Sequence, residues 1–80
     1  MQKTILIGAD LRGFNLEGAN LQGANLEGAK CQGVNFRHAN LQGANLWNAF
    51  LADADLSSAV LKDANLQRAD LSGITGTFVR

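Results

Sequence analysis

Two side chains in this sequence have the chemistry of a nucleophile and a general base: the single cysteine, Cys31, and the single histidine, His38. A cysteine nucleophile needs solvent access and a cationic neighbour that lowers its pKa. Cys31 stands at a position where the surrounding sequence otherwise repeats leucine, so we expect a buried, protonated thiol. No carboxylate is placed to orient His38, and we therefore expect neither a catalytic site nor an enzyme.

Binding sites for metals and cofactors have equally little support. A lone histidine and a lone cysteine that face different ways do not make a metal-ligand set. The glycines are spread evenly along the chain and do not form the strand, glycine loop and helix arrangement that holds a phosphate. The sequence predicts no metal and no cofactor.

The elements that position these residues are set by a five-residue repeat. The stretch Gly18–Ala29 reads GANLQGANLEGA, and the same rhythm runs along nearly the whole chain. We call the large apolar residue of each unit its centre. A small residue lies two before the centre, Asn or Asp commonly lies one before it, and Gly, Asn, Asp or Ser commonly lies two after it. The centres are Leu6, Leu11, Leu16, Leu21, Leu26, Cys31, Phe36, Leu41, Leu46, Leu51, Leu56, Leu61, Leu66 and Leu71.

Neither a helix nor a flat strand keeps these centres on one side. Five residues turn about 140° around an α-helix, so successive leucines would point in all directions. In a strand the side chains alternate with period two, so an odd repeat would send successive leucines to opposite faces. The centres all point inward if the backbone turns a corner in every unit. Gly, Asn and Asp two after the centre suit that corner because they tolerate a positive φ.

Four units per coil agree with the matches between residues twenty apart. Residues 18–29 realign on residues 38–49, and Phe14 then stacks inward in one column with Val34, Ala54 and Ile74. Opposite charges also stack, Asp10 on Lys30 and Glu17 on Arg37, and such cross-coil pairs contribute about 0.2–1 kcal/mol each. Asparagines stack in the same way, and we expect their amides to hydrogen-bond along the ladder rather than to bind a ligand or ice.

The units Ala19-Asn20-Leu21-Gln22-Gly23 and Ala64-Asn65-Leu66-Gln67-Arg68 resemble those of the pentapeptide repeat proteins. The resemblance covers about residues 4–73. It implies an all-β fold, a right-handed four-sided parallel β-helix, and fourteen units then make about three and a half coils. We expect this β-helix over residues 1–73 and a C-terminal cap or dimerisation tail over residues 74–80.

Three outward positions carry apolar residues where polar ones are usual. Trp47 occupies a position that Glu27 and Gln67 hold elsewhere, and Phe50 and Val60 stand where Asn, Asp or Lys is usual. Aromatic residues are enriched at protein interfaces, although isolated exposed apolar residues are also common on ordinary surfaces. Trp47, Phe50 and Val60 are therefore candidates for a protein interface, and the alternative is scattered exposure of single apolar residues.

The ends of such a coil leave backbone edges and core open, and these must be capped or paired. Ile74, Phe78 and Val79 are the apolar residues at the C-terminal end. They are candidates for an end cap or for the contact of a homodimer formed through that end.

Charge and composition narrow the class of function. Seven basic and seven acidic residues give a net charge of zero, which argues against a nucleic-acid surface. No stretch is apolar enough for a signal peptide or a membrane span, and one cysteine suits a reducing compartment, so we expect a cytoplasmic protein. The favoured function is a non-enzymatic structural or protein-interaction module whose partner is unknown. The alternative, implied by the fluoroquinolone-resistance members of the family, is a DNA-mimicking binder of topoisomerase (gyrase), which the zero net charge and the short length disfavour.

Overall fold

The fold is a stack of coils joined by single-residue β-bridges. The structure is a computed structural model and describes residues 3–77. Within that range there is no helix and no strand longer than one bridging residue. Eleven parallel bridges run from Ile5↔Asn25 to Asp55↔Thr75, and each joins residues twenty apart. This register confirms four five-residue units per coil, so every coil has four sides.

Each side ends in a tight turn whose third residue has a positive φ. The amide of Ala9 donates to the carbonyl of Leu6 at 3.0 Å, and Gly8 between them has a φ of 66°. A positive φ at this position alone is the signature of a type II turn. Every fifth residue from Lys3 to Gly73 has this conformation, including His38 at 59°. The corner predicted two residues after each centre is confirmed.

Neighbouring coils are joined by the backbone ladder of a parallel sheet. The amide of Asn25 donates to Thr4 O at 2.9 Å, and Asn25 O accepts from the amide of Leu6 at 2.7 Å. A further bond at the corner runs from the amide of Gly8 to Glu27 O at 2.8 Å. Bonds of these three kinds recur along most of the described stack, except that Gly13 N does not bond Gln32 O and Asn35 N does not bond Phe14 O. The ladder sets the spacing between coils at about 4.8 Å.

The interior of the coil is entirely apolar. No polar or charged side chain of residues 3–77 is buried, and the centres together with the small residues form one core. Cys31 and Phe36 are both fully buried at centre positions, in place of leucine. The Cα extents are 25 × 22 × 18 Å, so the molecule is a short block nearly as wide as it is long.

Phe14 departs from the predicted arrangement. The sequence places it inside, in the column of Val34, yet 52% of Phe14 is exposed while Val34 is fully buried. Among residues 3–77 the coil that contains Phe14 has a neighbouring coil on one side only. The expectation that Phe14 would be buried in its column was wrong, because it took that column to be covered at both ends.

The predicted charge pairs are also not the ones that form. Asp10 and Lys30 are joined by a backbone bridge, but the Asp10 carboxylate binds Arg12 two residues along, with Nη2 to Oδ2 at 2.7 Å. Arg37 reaches Asp55 in the following coil, with Nε to Oδ2 at 3.0 Å, rather than Glu17. An arginine side chain is long enough to reach a carboxylate in a neighbouring column. The residue twenty positions away is therefore not always its ion-pair partner.

Candidate interaction site

The potential nucleophile and the potential base lie on different sides of the coil wall. Cys31 is buried as a free thiol, and burial raises its pKa to about 12, so the thiol is protonated at neutral pH. His38 is an exposed corner residue whose amide donates to Ser57 O at 2.9 Å. The geometry does not bring the two side chains together for nucleophilic chemistry. Across residues 3–77 no three His, Cys, Asp or Glu side chains gather as a metal site would require.

The asparagines one before each centre use their side chains mainly to hold their own turn. Asn45 Oδ1 accepts from the amide of Trp47 at 3.0 Å, and other asparagines repeat this bond two residues along. Two asparagine amides among residues 3–77 donate to the adjacent coil, Asn45 Nδ2 to Asn25 Oδ1 at 3.4 Å and Asn35 Nδ2 to Glu17 Oε1 at 3.3 Å, and only the first joins two stacked amides. The predicted ladder of stacked amides is therefore largely replaced by Asx turns, because the nearer acceptor satisfies an otherwise free amide.

Trp47 lies against the corner of the next coil. It is partly buried, and the guanidinium carbon of Arg68 is 5.6 Å from the centroid of its ring. This is a cation–π distance. Arg68 is itself a corner residue with a φ of 63°, which directs it beside the Trp47 column. The sequence analysis did not identify Arg68 as a neighbour of Trp47. The twenty-residue register could have indicated it, because that register places Arg68 one coil above Asn48, the residue that follows Trp47.

Phe50 lies on the next side of the same coil. The corner at Asn48, with a φ of 59°, separates it from Trp47. Phe50 is 40% exposed and bridges Lys30 in the coil before and Asp70 in the coil after. The two aromatic side chains therefore flank one corner, and the surface around them carries both signs of charge.

Val60 and Phe50 lie on different sides of the coil and do not form one surface. It bridges Asn40 and lies ten residues after Phe50, which is half of the twenty-residue coil. Since opposite sides of a four-sided coil are ten residues apart, Val60 and Phe50 face opposite directions. The three residues therefore do not share one surface, and a contact of Val60 with a partner stays a prediction.

An open hollow lined by both apolar and polar side chains lies near the C-terminal end of the described residues. A concavity of about 390 Å³ lies against Leu61, Asp63, Ala64, Leu66, Gln67 and Leu71. Ile74 packs against the core and is partly buried. Phe78 and Val79 lie outside the described residues, so the cap or dimer contact predicted for them stays a prediction.

Among residues 3–77 there is no helix of the length and apolarity that a membrane crossing needs.

The comparisons with known proteins agree with this geometry. The family described as Pentapeptide repeats matches the chain in eight copies, over residues 4–43 and 35–73. No curated protein is similar enough to count as a relative.

Solved structures extend the likeness to three dimensions. The pentapeptide repeat protein Rfr23 from the cyanobacterium Cyanothece 51142 is 35% identical with a TM-score of 0.94, and the match covers 96% of this chain and 54% of that one. A pentapeptide repeat protein from the Arabidopsis thaliana thylakoid lumen is 32% identical with a TM-score of 0.62, covering 82% of this chain and 49% of that one. HetL of Nostoc sp. strain PCC 7120, a pentapeptide repeat protein involved in heterocyst differentiation regulation, is 36% identical with a TM-score of 0.54, covering 96% and 36%.

This chain thus spans about half the length of the first two structures. Its five-residue units, its positive-φ corners and these matches lead to one assignment. The chain belongs to the pentapeptide repeat family.

Proposed function

We propose that the protein is a non-enzymatic interaction module, a right-handed four-sided β-helix of about three and a half coils that presents the corner between Trp47 and Phe50 to a protein partner. The observation that carries this proposal is the pair of aromatic side chains on the two sides of one rigid corner, with Arg68 against the indole. Tryptophan and arginine are among the residues most enriched at interface hot spots, and aromatic residues in general are enriched at interfaces.

The scaffold holds this corner with little freedom to move. Asn48 at the corner donates its amide to Gln67 O at 2.9 Å, and the amide of Phe50 donates to Ala29 O at 2.9 Å. The flanking Ala49 is buried in the core. A surface ordered before binding loses less conformational entropy when a partner docks, which favours affinity.

The neighbours of the two aromatics indicate the chemistry of the partner. Phe50 has Lys30 and Asp70 beside it, and Trp47 has Glu27 and Gln67 in its column. A partner with an apolar pocket and a mixed polar rim suits this surface, because the rim can pair with charges of both signs. A DNA mimic would need a strongly acidic face, and this one is balanced. A reducing compartment such as the cytoplasm suits the buried free thiol of Cys31.

The test compares two variants with matched chemistry on opposite sides. The double variant Trp47→Ala/Phe50→Asn removes the aromatic corner, and Val60→Asn makes a similar change half a coil away. Proteins captured by the wild type from a lysate of the source organism should be retained by Val60→Asn. They should be recovered about thirtyfold less with the double variant, since a hot spot contributes at least about 2 kcal/mol.

Thermal unfolding of each variant provides the control for folding. Equal capture by the wild type and by a folded double variant would refute the interface. Loss of capture in Val60→Asn alone would place the binding surface on the opposite side.

A further inference from the structure

One backbone amide in each five-residue unit faces outward and is capped by a side chain wherever that side chain is Asn or Asp. This amide lies one residue after the centre and donates to the Oδ1 atom one residue before the centre, as from Trp47 to Asn45 at 3.0 Å. Every unit that has Asn or Asp at that place makes the bond. In the remaining units the amide has no acceptor among residues 3–77. These uncapped amides belong to Ile7, Gln32, Ala52 and Lys62.

Two of the uncapped amides are neighbours on one side of the coil. Gln32 and Ala52 occupy the same outward column one coil apart, because each follows by two residues a member of the bridged pair Lys30 and Phe50. The ladder spacing places their two N–H groups about 4.8 Å apart. Both residues are partly exposed, so a ligand can reach these amides from solvent.

Carboxylates of the chain itself bind the equivalent amides at both flanks of this pair. In the coil before, the amide of Arg12 donates to Asp10 Oδ1 at 3.1 Å, and in the coil after, the amide of Ser72 donates to Asp70 Oδ1 at 3.0 Å. The hydroxyl of Ser72 and then its amide lower the pKa of Asp70, so an amide at this place favours a charged carboxylate. The two uncapped amides between them present the same donor without a carboxylate.

We propose that the amides of Gln32 and Ala52, together with the ammonium group of Lys30, bind a carboxylate that the protein partner supplies from an aspartate or glutamate side chain. Each oxygen of one carboxylate can accept one of the two N–H groups at about 2.9 Å. A charged acceptor makes such hydrogen bonds shorter and stronger than neutral ones. The source of the carboxylate rests on the function proposed above, because Phe50 places this pair of amides beside the aromatic corner.

The charges around the two amides place the carboxylate towards Lys30. The Lys30 side chain is exposed and has no ion pair among residues 3–77. Asp10, one coil before, is already held by Arg12 at 2.7 Å. Asp53 and Asp70 lie towards the later coils and oppose binding as like charges. A bound carboxylate should therefore lie nearer to Lys30 than to Asp70.

The first experiment titrates sodium acetate into the isotopically labelled protein and follows the backbone amides by NMR. Sodium chloride at the same ionic strength is the reference, because salt screens exposed charges. The amide protons of Gln32 and Ala52 should shift downfield to saturation with acetate and not with chloride. The amide of Lys62 is the internal control. It is uncapped but single, since Asn40 caps the amide before it in its column, and it should shift much less.

Three variants separate the contribution of the amides from that of the charges. Lys30→Asn introduces the commonest residue at this place, caps the amide of Gln32 and should abolish the saturable shift. Lys30→Met removes the charge and leaves the amide uncapped, so it should raise the half-saturating acetate concentration by up to about fivefold. Asp70→Asn keeps a capping oxygen for Ser72 and removes a like charge, so it should lower that concentration by up to about fivefold.

The matched control for these variants is Val60→Asn, which caps the single amide of Lys62 half a coil away. It should bind acetate as the wild type does. Equal shifts with acetate and chloride, equal shifts at Lys62, or acetate binding that survives in Lys30→Asn would each overturn the carboxylate site.

A second measurement tests whether the carboxylate comes from a protein. The probes are a blocked peptide with one glutamate between apolar residues and the same peptide with glutamine in its place. The glutamate peptide should bind at a lower concentration than acetate, because its apolar residues contact Phe50, and the glutamine peptide should not displace acetate. Phe50→Ala leaves the amide of Ala52 uncapped, so it should remove the advantage of the peptide and retain acetate binding. A glutamate peptide that binds no better than acetate would make the ligand a free small carboxylate and overturn the assignment to a partner.

The carboxylate site and the aromatic interface fail separately. Trp47→Ala should bind acetate like the wild type, and Lys30→Asn leaves both aromatic side chains in place. Capture that depends on Trp47 and Phe50 in a protein whose amides do not respond to acetate would retain the interface and refute the carboxylate site.

Discussion

The stacked core can be tested by replacing two leucines of one inward column with alanine. One of them lies in the middle of the column and the other near its end. Leu46 and Leu66 occupy the same column one coil apart. Leu46 is 0% exposed and lies between Leu26 and Leu66, whereas Leu66 is partly buried at the open end. The same chemical change, Leu→Ala, therefore removes contacts on both sides in one case and mainly on one side in the other.

The expected magnitudes differ accordingly. Burial of a leucine and the cavity left by its removal together cost about 2–5 kcal/mol. We expect Leu46→Ala to cost about 3–5 kcal/mol, because the backbone ladder fixes the coils above and below and prevents them from closing on the cavity. Leu66→Ala should cost about 1–2 kcal/mol, because Leu66 is already partly exposed to water and its removal leaves a more open cavity.

Thermal unfolding followed by circular dichroism measures both changes. With about 4–8 °C per kcal/mol for a domain of this size, Leu46→Ala should lower the Tm by at least about 12 °C. Equal losses for the two variants, or a loss below about 1 kcal/mol for Leu46→Ala, would refute the column of leucines.

Three further changes test other parts of the structure. Gly43 has a φ of 68° and open space around its missing Cβ, so Gly43→Ala should cost about 1–2 kcal/mol by urea unfolding and Gly43→Asn clearly less; equal costs would mean that the corner conformation is not what matters. Cys31 should resist a thiol reagent in the native protein at pH 8 and react fully in urea, and rapid native labelling would contradict its burial. Side-chain hydrogen bonds lower the pKa of Asp10, Asp55 and Asp70. A lowered pKa adds stability that is present above the unfolded value of about 3.9 and is lost as pH falls towards the folded value. Urea midpoints should therefore decrease below about pH 4, and Asp55→Asn should reduce that decrease; a midpoint independent of pH there would contradict it.

The corners and the core could be predicted from the sequence because both depend on neighbours within one five-residue unit. His38, Ser58 and Arg68 all have a positive φ although none is a glycine. The position two after the centre imposes that conformation on whatever residue stands there. The register between coils was also predictable, since it follows from where the units repeat.

The partners of long side chains could not be predicted in this way. Arg12 binds Asp10 on its own side, and Arg37 binds Asp55 in the next coil. Exposed ion pairs differ from one another by less than about 1 kcal/mol, so the sequence contains no strong preference among them. The exposure of Phe14 depends on what lies beyond the first coil, which a repeat pattern does not reveal.

The link between side and sequence position makes this fold sensitive to the size of an insertion. Adding or removing five residues would leave every leucine inside, yet it would rotate all later outward residues by a quarter turn. An insertion between Lys30 and Phe50, for example, would move Phe50 and Asp70 together off the side that they share with Lys30. A change of twenty residues lengthens or shortens the molecule and preserves every face. Such a protein can vary in length by whole coils without losing a binding surface. An insertion or deletion of one, two or three five-residue units places the later part of that surface on a different side.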